Sequence, residues 1–269
     1  MDAVVIEQLT KRYGAFPAVD ELSFSVPRGS VCGFLGPNGA GKTTTLRVLL
    51  GLARATSGQA TVHGSVSGVL GRDGFHPSRG VWDELALAAA RLGVEPDDTG
   101  IESFVDQRVG ACSHGQRRRL ALAIALLGRP DVLLLDEPAT GLDPHALREL
   151  RGTLRSHADN GGTVLLSSHV LEDVAATCDR VVVINRGRRV AQGELDELLA
   201  RRIRLRSPER PRLLEALRGL DATPEGSDGV IVTGADVDTV GRAVQGVLLH
   251  EMSTQGALEA LYVGLTDVD

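Results

Sequence analysis

Gly36-Pro37-Asn38-Gly39-Ala40-Gly41-Lys42-Thr43-Thr44 decides the reading of this chain. A glycine, four residues, a second glycine, a lysine and a hydroxyl residue is the spacing of a phosphate-binding loop. Glycines let the backbone curl so that successive N–H groups converge on an anion. Lys42 adds a point charge for the β- and γ-phosphates. The Thr43 hydroxyl is placed to ligate Mg²⁺. The flanks agree: Ser30 to Leu35 reads as a short buried strand, and Thr43 to Leu50 reads as a helix. A phosphate in the loop then sits on a helix N-terminus, where the dipole favours it. The stretch predicts binding of a nucleoside triphosphate.

Outward from the loop, bulk composition narrows the class. The chain has 269 residues, 42% of them apolar, enough for one large domain or two. A formal charge of −6 gives no general attraction to nucleic acid or anionic lipid. Lysine occurs only at Lys11 and Lys42 while arginine, alanine and glycine are abundant, the usage of a GC-rich bacterial genome. Cys32, Cys112 and Cys178 lie too far apart for metal-ligand spacing and form no even disulfide framework, which points to a reducing compartment. No basic segment followed by an apolar run opens the chain, so no signal peptide is expected. No apolar run approaches the ~20 residues that span a bilayer, so work at a membrane requires another chain. His63, His76, His114, His145, His157 and His250 form no ligand cluster, leaving no metal site beyond nucleotide-bound Mg²⁺.

Strand patterns at Val4–Ile6, Leu22–Val26, Ala60–Val62 and Val66–Leu70 precede a helix-rich stretch over about 80–128. Within it, Asp83–Arg91 and Gln116–Leu127 are rich in helix formers. Arg117-Arg118-Arg119 reads as a solvated helix face, with one of them available to a partner. Then strands 131–135, 162–166 and 180–184 alternate with helices 144–157 and 170–176. Continuously apolar strands alternating with helices predict a mostly parallel sheet covered on both faces. Composition shifts after that. Six arginines lie between Arg201 and Arg212, and residues 219–269 hold nine acidic residues against Arg242 alone. The order strand 202–206, helix 209–218, strands 222–225 and 229–233, helix 235–246, strand 247–250 and a last helix from about 255 predicts a small α+β unit.

A second chemical signal is Leu133-Leu134-Leu135-Asp136-Glu137-Pro138, an apolar strand ending in adjacent carboxylates. In phosphoryl chemistry the first can hold Mg²⁺ and the second can orient or polarise a water. With Lys11-Arg12-Tyr13-Gly14, Cys112-Ser113-His114-Gly115-Gln116, Gly141-Leu142-Asp143-Pro144 and Ser167-Ser168-His169, these motifs follow one another in an order that resembles the ATPase subunits of ABC transporters. The resemblance spans roughly residues 3–200. It implies a P-loop NTPase of the ABC type: an α/β fold with a mostly parallel central sheet, an antiparallel β N-terminal part and a helical subdomain at about 72–128. The expected domains are residues 1–203 and a small α+β accessory domain at 204–269.

The resemblance also implies roles. Tyr13 would stack on adenine. Gly36, Pro37, Asn38, Gly39, Ala40, Gly41, Lys42, Thr43 and Thr44 would bind the phosphates of ATP, with Lys42 also serving catalysis. Thr43 and Asp136 would hold Mg²⁺, Glu137 would be the catalytic base, and His169 would contact the γ-phosphate. Ser113, Gly115 and Gln116 would close over the ATP of a second copy, in a homodimer with Asp143 at its seam. Ser113 is by itself a good N-cap, and a helix starting there offers N–H groups to an anion. Separately encoded transmembrane permease subunits would hold the protein at the cytoplasmic face of the membrane. No nucleic-acid partner is expected.

Three features depart from that pattern or extend it. Gly71 stands where the family ends a strand with a glutamine that reaches Mg²⁺ and the attacking water, which predicts slower or less tightly coupled hydrolysis. Cys112 and His114 replace the usual leucine and first glycine of the signature. Glu251 to Thr266 resembles the ending of ATPases from ABC-2 type exporters, including drug-resistance exporters. The expected function is therefore the ATP-binding and ATP-hydrolysing subunit of a membrane exporter. A regulatory nucleotide-binding subunit with weak hydrolysis, or a soluble ABC ATPase outside transport, are the alternatives.

Overall fold

Alternating and continuous apolar patterns become two kinds of strand in the computed structural model, which describes residues 1–71, 74–97, 100–199 and 201–256. Two compact units divide between Gly193 and Glu194. In the first, β1 (Asp2–Tyr13) and β2 (Phe16–Pro27) form an antiparallel hairpin that turns at Gly14, where φ is +60°. The chain continues through β3 (Val31–Leu35), α1 (Lys42–Leu49), β4 (Ser57–Val62), β5 (Val66–Val69), α2 (Val81–Leu92) and α3 (His114–Leu126). It then runs through β6 (Val132–Leu135), α4 (Pro144–Asp159), β7 (Thr163–Ser168), α5 (Leu171–Ala175), β8 (Arg180–Asn185) and β9 (Arg188–Glu194).

Two sheets result. One has the order β2-β1-β4, and the other β5-β6-β7-β3-β8-β9. In the second sheet β5, β6, β7, β3 and β8 run parallel. The expected α/β fold with an antiparallel N-terminal part is what the chain adopts. β9 carries no apolar run that would mark it as a strand; it is an edge strand, where polar residues are tolerated.

Every residue of β3, β6 and β7 is buried, as both faces of a parallel sheet must be. Cys32, Phe34, Val132, Leu134, Leu165, Val182 and Ile184 share one core with the hairpin and α1. Phe24 and Phe34 meet there at 5.2 Å between ring centroids. Full burial of a side chain of this size contributes about 1.5–3 kcal/mol. The other face takes α4 and α5, which touch β3 and β7. A smaller core of Val81, Leu85, Ile101, Phe104, Val109, Cys112 and Leu120 holds α2 to α3. Cys112, in the place of a leucine, is a buried small apolar residue of that core.

The second unit contains α6 (Leu195–Leu199), β10 (Arg201–Arg206), α7 (Arg210–Ala216), β11 (Asp221–Glu225), β12 (Gly229–Thr233), α8 (Val237–Ala243) and β13 (Glu251–Gly256). Its sheet order is β11-β12-β10-β13, all antiparallel. The period of two in β10 explains its arginines. Ile203 and Leu205 enter the core with Leu213, Leu217, Val230 and Val232, while Arg204 pairs with Glu225 and Arg206 with Asp228.

Two expectations are corrected. The division falls at 193/194 rather than 203/204, because β10 is hydrogen-bonded between β12 and β13 and belongs to their sheet. The last described strand is Glu251–Gly256, not 247–250. Val247 and Leu249 do alternate into the core, but Leu248 O accepts from Ser207 Oγ and the His250 N–H goes to Arg206 O, so sheet pairing begins only at Glu251. The helix expected from about 255 falls on residues 257–269, outside the described residues, and Gln255 and Gly256 belong to β13.

Gly33 lies where α5 crosses β3. A Cβ there would stand 2.5 Å from Val174 Cγ1 and 3.2 Å from Cys178 Sγ. Gly33→Ala is expected to lower stability by about 1–3 kcal/mol through overpacking, read as a lower midpoint of denaturant unfolding. An unchanged midpoint would show that α5 yields without cost.

Candidate nucleotide and hydrolysis site

Parallel register brings the loops together. Leu35 is level with Ser168, and Leu135 with Leu166 and Val69. The chain therefore leaves the sheet at Gly36, Asp136 and His169 along one edge. The Gly36 N–H donates to Ser168 O at 3.2 Å. A Cβ on Gly36 would lie 2.4 Å from Ile184 O, so only glycine fits. Gly39 and Gly41 have φ of +80° and +104°, the left-handed conformations that curl the loop. Gly41 also packs against Ala18 O. Pro37 O accepts from the Ala40 N–H at 3.2 Å, while Asn38 stays exposed. Gly41 caps α1 without any side-chain bond, leaving the first-turn N–H groups to an incoming anion. Thr44 is half-buried in that first turn.

The Lys42 side chain is buried in the loop. Its Nζ donates to Gly36 O at 2.6 Å and Pro37 O at 3.1 Å, and stands 3.8 Å from Glu137 Oε1. Burial pushes its pKa below the usual 10.5, while Glu137 and Asp136 pull it back up.

Asp136 is gripped by two hydroxyls. Thr43 Oγ1 donates to Oδ2 at 2.8 Å and Ser167 Oγ to Oδ1 at 2.6 Å. The Asp136 N–H donates to Val69 O. Glu137 adopts φ +46°, uncommon for a residue with a Cβ. Its Oε1 is 3.0 Å from His169 Nδ1, and its Oε2 accepts from Thr140 Oγ1 at 3.3 Å. The site thus holds Lys42, Thr43, Asp136, Glu137 and His169 as one cluster. Ser167, wholly buried and given no role by the sequence pattern, accepts through its hydroxyl from the Glu137 N–H at 3.0 Å. A hydroxyl next to an oriented carboxylate is a hard-oxygen pair suited to Mg²⁺, which takes one or two protein ligands and completes its shell with water and phosphate. Among the described residues no group of three or more His, Cys, Asp or Glu could cage a metal without such help.

Other expected residues stand outside that cluster. Tyr13 is 48% exposed at the end of β1, with Lys11 Nζ 4.9 Å from its ring centroid and Phe16 opposite it across the turn. Ser113 caps α3 in a reciprocal box: the Gln116 N–H donates to Ser113 Oγ at 3.1 Å, and the Ser113 N–H to Gln116 Oε1 at 2.8 Å. Asp143 caps α4, accepting from the His145 and Ala146 N–H groups, and the Ala146 bond foremost holds its carboxyl below the usual pKa. A Cβ on Gly115 would meet Leu142 Cδ2 at an ordinary 3.8 Å, so the start of α3 lies against the loop before Asp143.

The arginine run is not a solvated face. Arg117 donates to Cys112 O, Arg119 pairs with Glu149 on α4, and Arg118 donates to both Gly71 O and Asp136 O. Gly71 is exposed with φ +62°, and none of the described residues lies within 4 Å of where a Cβ would be.

The fold and the loop define a P-loop nucleotide-binding protein. The ABC transporter family matches residues 19–140, and a domain of unknown function matches 201–259. A Nod factor export ATP-binding protein I from Ralstonia nicotianae is 39% identical over 221 residues, 74% of this chain and 69% of that protein. An uncharacterized ABC transporter ATP-binding protein, YdbJ of Bacillus subtilis, is 33% identical over 251 residues, 84% of this chain and 81% of that one. A solved ATP-binding subunit of an ABC transporter superposes with a TM-score of 0.68 at 23% identity, covering 90% of this chain and 99% of that one, a likeness of fold. This chain belongs to the ATP-binding subunits of ABC transporters and is an ATPase.

Lys42→Ala removes a buried charge-assisted donor, an interaction of about 1.5–3 kcal/mol. ATP affinity is expected to fall about 10- to 100-fold in equilibrium titration. Unchanged affinity would remove Lys42 from the site.

Proposed function

We propose that this chain powers a membrane exporter by ATP-driven pairing of two copies and hydrolysis-driven separation. The juxtaposition of Lys42, Thr43, Asp136, Glu137 and His169 at one sheet edge carries the reading. Tyr13 stacks on adenine. The loop N–H groups from Asn38 to Thr44 and the Lys42 ammonium hold the phosphates. Thr43 and Asp136 hold Mg²⁺, which when bound neutralises phosphate charge. Glu137 takes the proton of the attacking water, and His169 steadies Glu137 and faces the γ-phosphate. Because these groups are fixed before substrate arrives, little reorganisation is needed as charge develops.

The start of α3 faces the nucleotide of the second copy. Nothing among the described residues demands glycine at Gly115, whereas close approach of a phosphate does. Asp143, on the neighbouring loop, lines the same seam. ATP between two such surfaces joins them, and loss of the γ-phosphate releases them.

Among the described residues no helix is long and apolar enough to cross a membrane, so transmembrane permease subunits supply the path. Exposed Trp82, Leu87 and Leu92 on α2, with Val94 just beyond it, offer apolar surface for that docking, at the cytoplasmic face. Relatives named for Nod factor export support export as the direction of transport. Gly71 favours the second reading, a regulatory subunit with weak hydrolysis, because it has no side-chain amide to offer the metal or water.

In Glu137→Gln, phosphate release is expected to fall about 100-fold or more, while ATP with Mg²⁺ drives a stable dimer visible by light scattering. A variant that stays monomeric under saturating ATP overturns the pairing. Gly71→Gln is expected to raise turnover, although the left-handed backbone charges glutamine about 1 kcal/mol of stability. A folded variant no faster than wild type would discard that reading of the loop.

A further inference from the structure

We propose that Arg118 is a positioning residue for hydrolysis: through the carbonyl of Asp136 it holds Glu137 in its left-handed conformation and ties that glutamate to the serine-capped helix. This rests on Glu137 being the base. The peptide between Asp136 and Glu137 is held at both ends. Its carbonyl accepts from Arg118 Nη2 at 2.6 Å, and its N–H donates to Ser167 Oγ at 3.0 Å. Ser167 in turn donates to Asp136 Oδ1 at 2.6 Å. One peptide plane therefore sets the direction of both carboxylates.

Glu137 has φ +46°, and a residue with a Cβ stays there only when its surroundings require it. Arg118 and Ser167 supply that requirement from two different elements, α3 and β7. The guanidinium fork suits the task. Nη1 donates to Gly71 O at 3.2 Å while Nη2 donates to Asp136 O, so a planar group bridges two loop carbonyls. Arg118 lies less than one turn beyond Gln116 on α3. The helix whose first turn is proposed to meet the second copy's nucleotide is thus tied, through one side chain, to the peptide that aims this copy's own glutamate. Gly71 contributes a backbone acceptor to the same bridge in place of a side chain.

The test measures ATP turnover of the full chain for Arg118→Ala, Arg118→Lys, Ser167→Ala, Arg118→Ala with Ser167→Ala, and Glu137→Gln. In Arg118→Ala, kcat is expected to fall about tenfold or more, with KM for ATP within about twofold. Added guanidinium ion should restore part of the loss in Arg118→Ala and none in Glu137→Gln. Arg118→Lys should fall between alanine and wild type, because an ammonium cannot bridge both carbonyls in one plane. The double variant should lose less than the product of the single losses, since both residues hold one peptide.

Wild-type kcat in Arg118→Ala or Arg118→Lys overturns the proposal. So does a loss in which KM rises in step and guanidinium restores nothing, which marks a purely structural role. If Arg118→Ala does not fold, Arg118→Lys and the guanidinium response of Ser167→Ala, expected to be nil, decide the matter. Wild-type turnover in Glu137→Gln would instead sink the base assignment. An inactive Glu137→Gln beside a fully active Arg118→Ala would sink the positioning role alone.

Discussion

Parallel pairing of β6, β7 and β3 is the constraint on which the site depends. With Leu35 level with Ser168 and Leu135 level with Leu166, three chain segments leave the sheet together. Each leaves at a residue able to hold phosphate, metal or water: the glycine loop after β3, the two carboxylates after β6, the histidine after β7. A shift of one residue in any of these strands would turn its side chains to the opposite face. The apolar burial that fixes the register therefore also fixes the chemistry. Fully buried strands leave no alternative face for Phe34, Leu134 or Leu165.

Burial creates an electrostatic difficulty at the same edge. Lys42 and Asp136 are both buried, and an unpaired charge there would cost several kcal/mol. The loop meets this with backbone rather than with a tight ion pair. Two carbonyls take the ammonium, and two hydroxyls take the Asp136 carboxylate. Lys42 and Glu137 stay 3.8 Å apart, so the ammonium remains available to a phosphate without first breaking a close salt bridge. The same arrangement explains why glycine cannot be replaced at Gly36 or Gly41. A Cβ at either position would press on neighbouring backbone, 2.4 Å from Ile184 O at Gly36 and 2.5 Å from Ala18 O at Gly41.

Legibility from sequence follows the range of the interactions involved. The phosphate loop, the Asp136–Glu137 pair and the Ser113 cap were readable because turn geometry, strand termination and helix capping are local. Ser167 was not. Its role exists only because β7 lies beside β6, so that a buried hydroxyl falls between two carboxylate-bearing residues some thirty positions earlier. The arginine run misled for the same reason, since three consecutive arginines say nothing of which helix face meets Gly71 and Asp136. At the sheet edges, β9 and β13 carry too little apolar patterning to announce themselves. In the second unit the alternation of Val247 and Leu249 marked core contact, not sheet pairing. Hydrogen bonds from the His250 N–H to Arg206 O and from the Ser207 hydroxyl to Leu248 O, invisible in a pattern of apolar side chains, decided where β13 starts.

Gly71 shows how a missing side chain can leave a connection intact in another form. A glutamine there would act through its amide, reaching metal and water directly. The glycine, turned left-handed and exposed, presents its carbonyl to Arg118 instead. Connection between the strand end after β5 and the carboxylates after β6 then runs through a cation on α3 rather than through an amide on the loop. Such a route acts on the aim of Glu137, not on the coordination of the metal. Under the proposed pairing, the helix that begins at Ser113 carries two duties, one toward its own hydrolytic centre and one toward the nucleotide of a second copy. A helix so tied cannot shift at its first turn without drawing on the Asp136 carbonyl. The proposed pairing would then be linked to hydrolysis by the length of one arginine side chain.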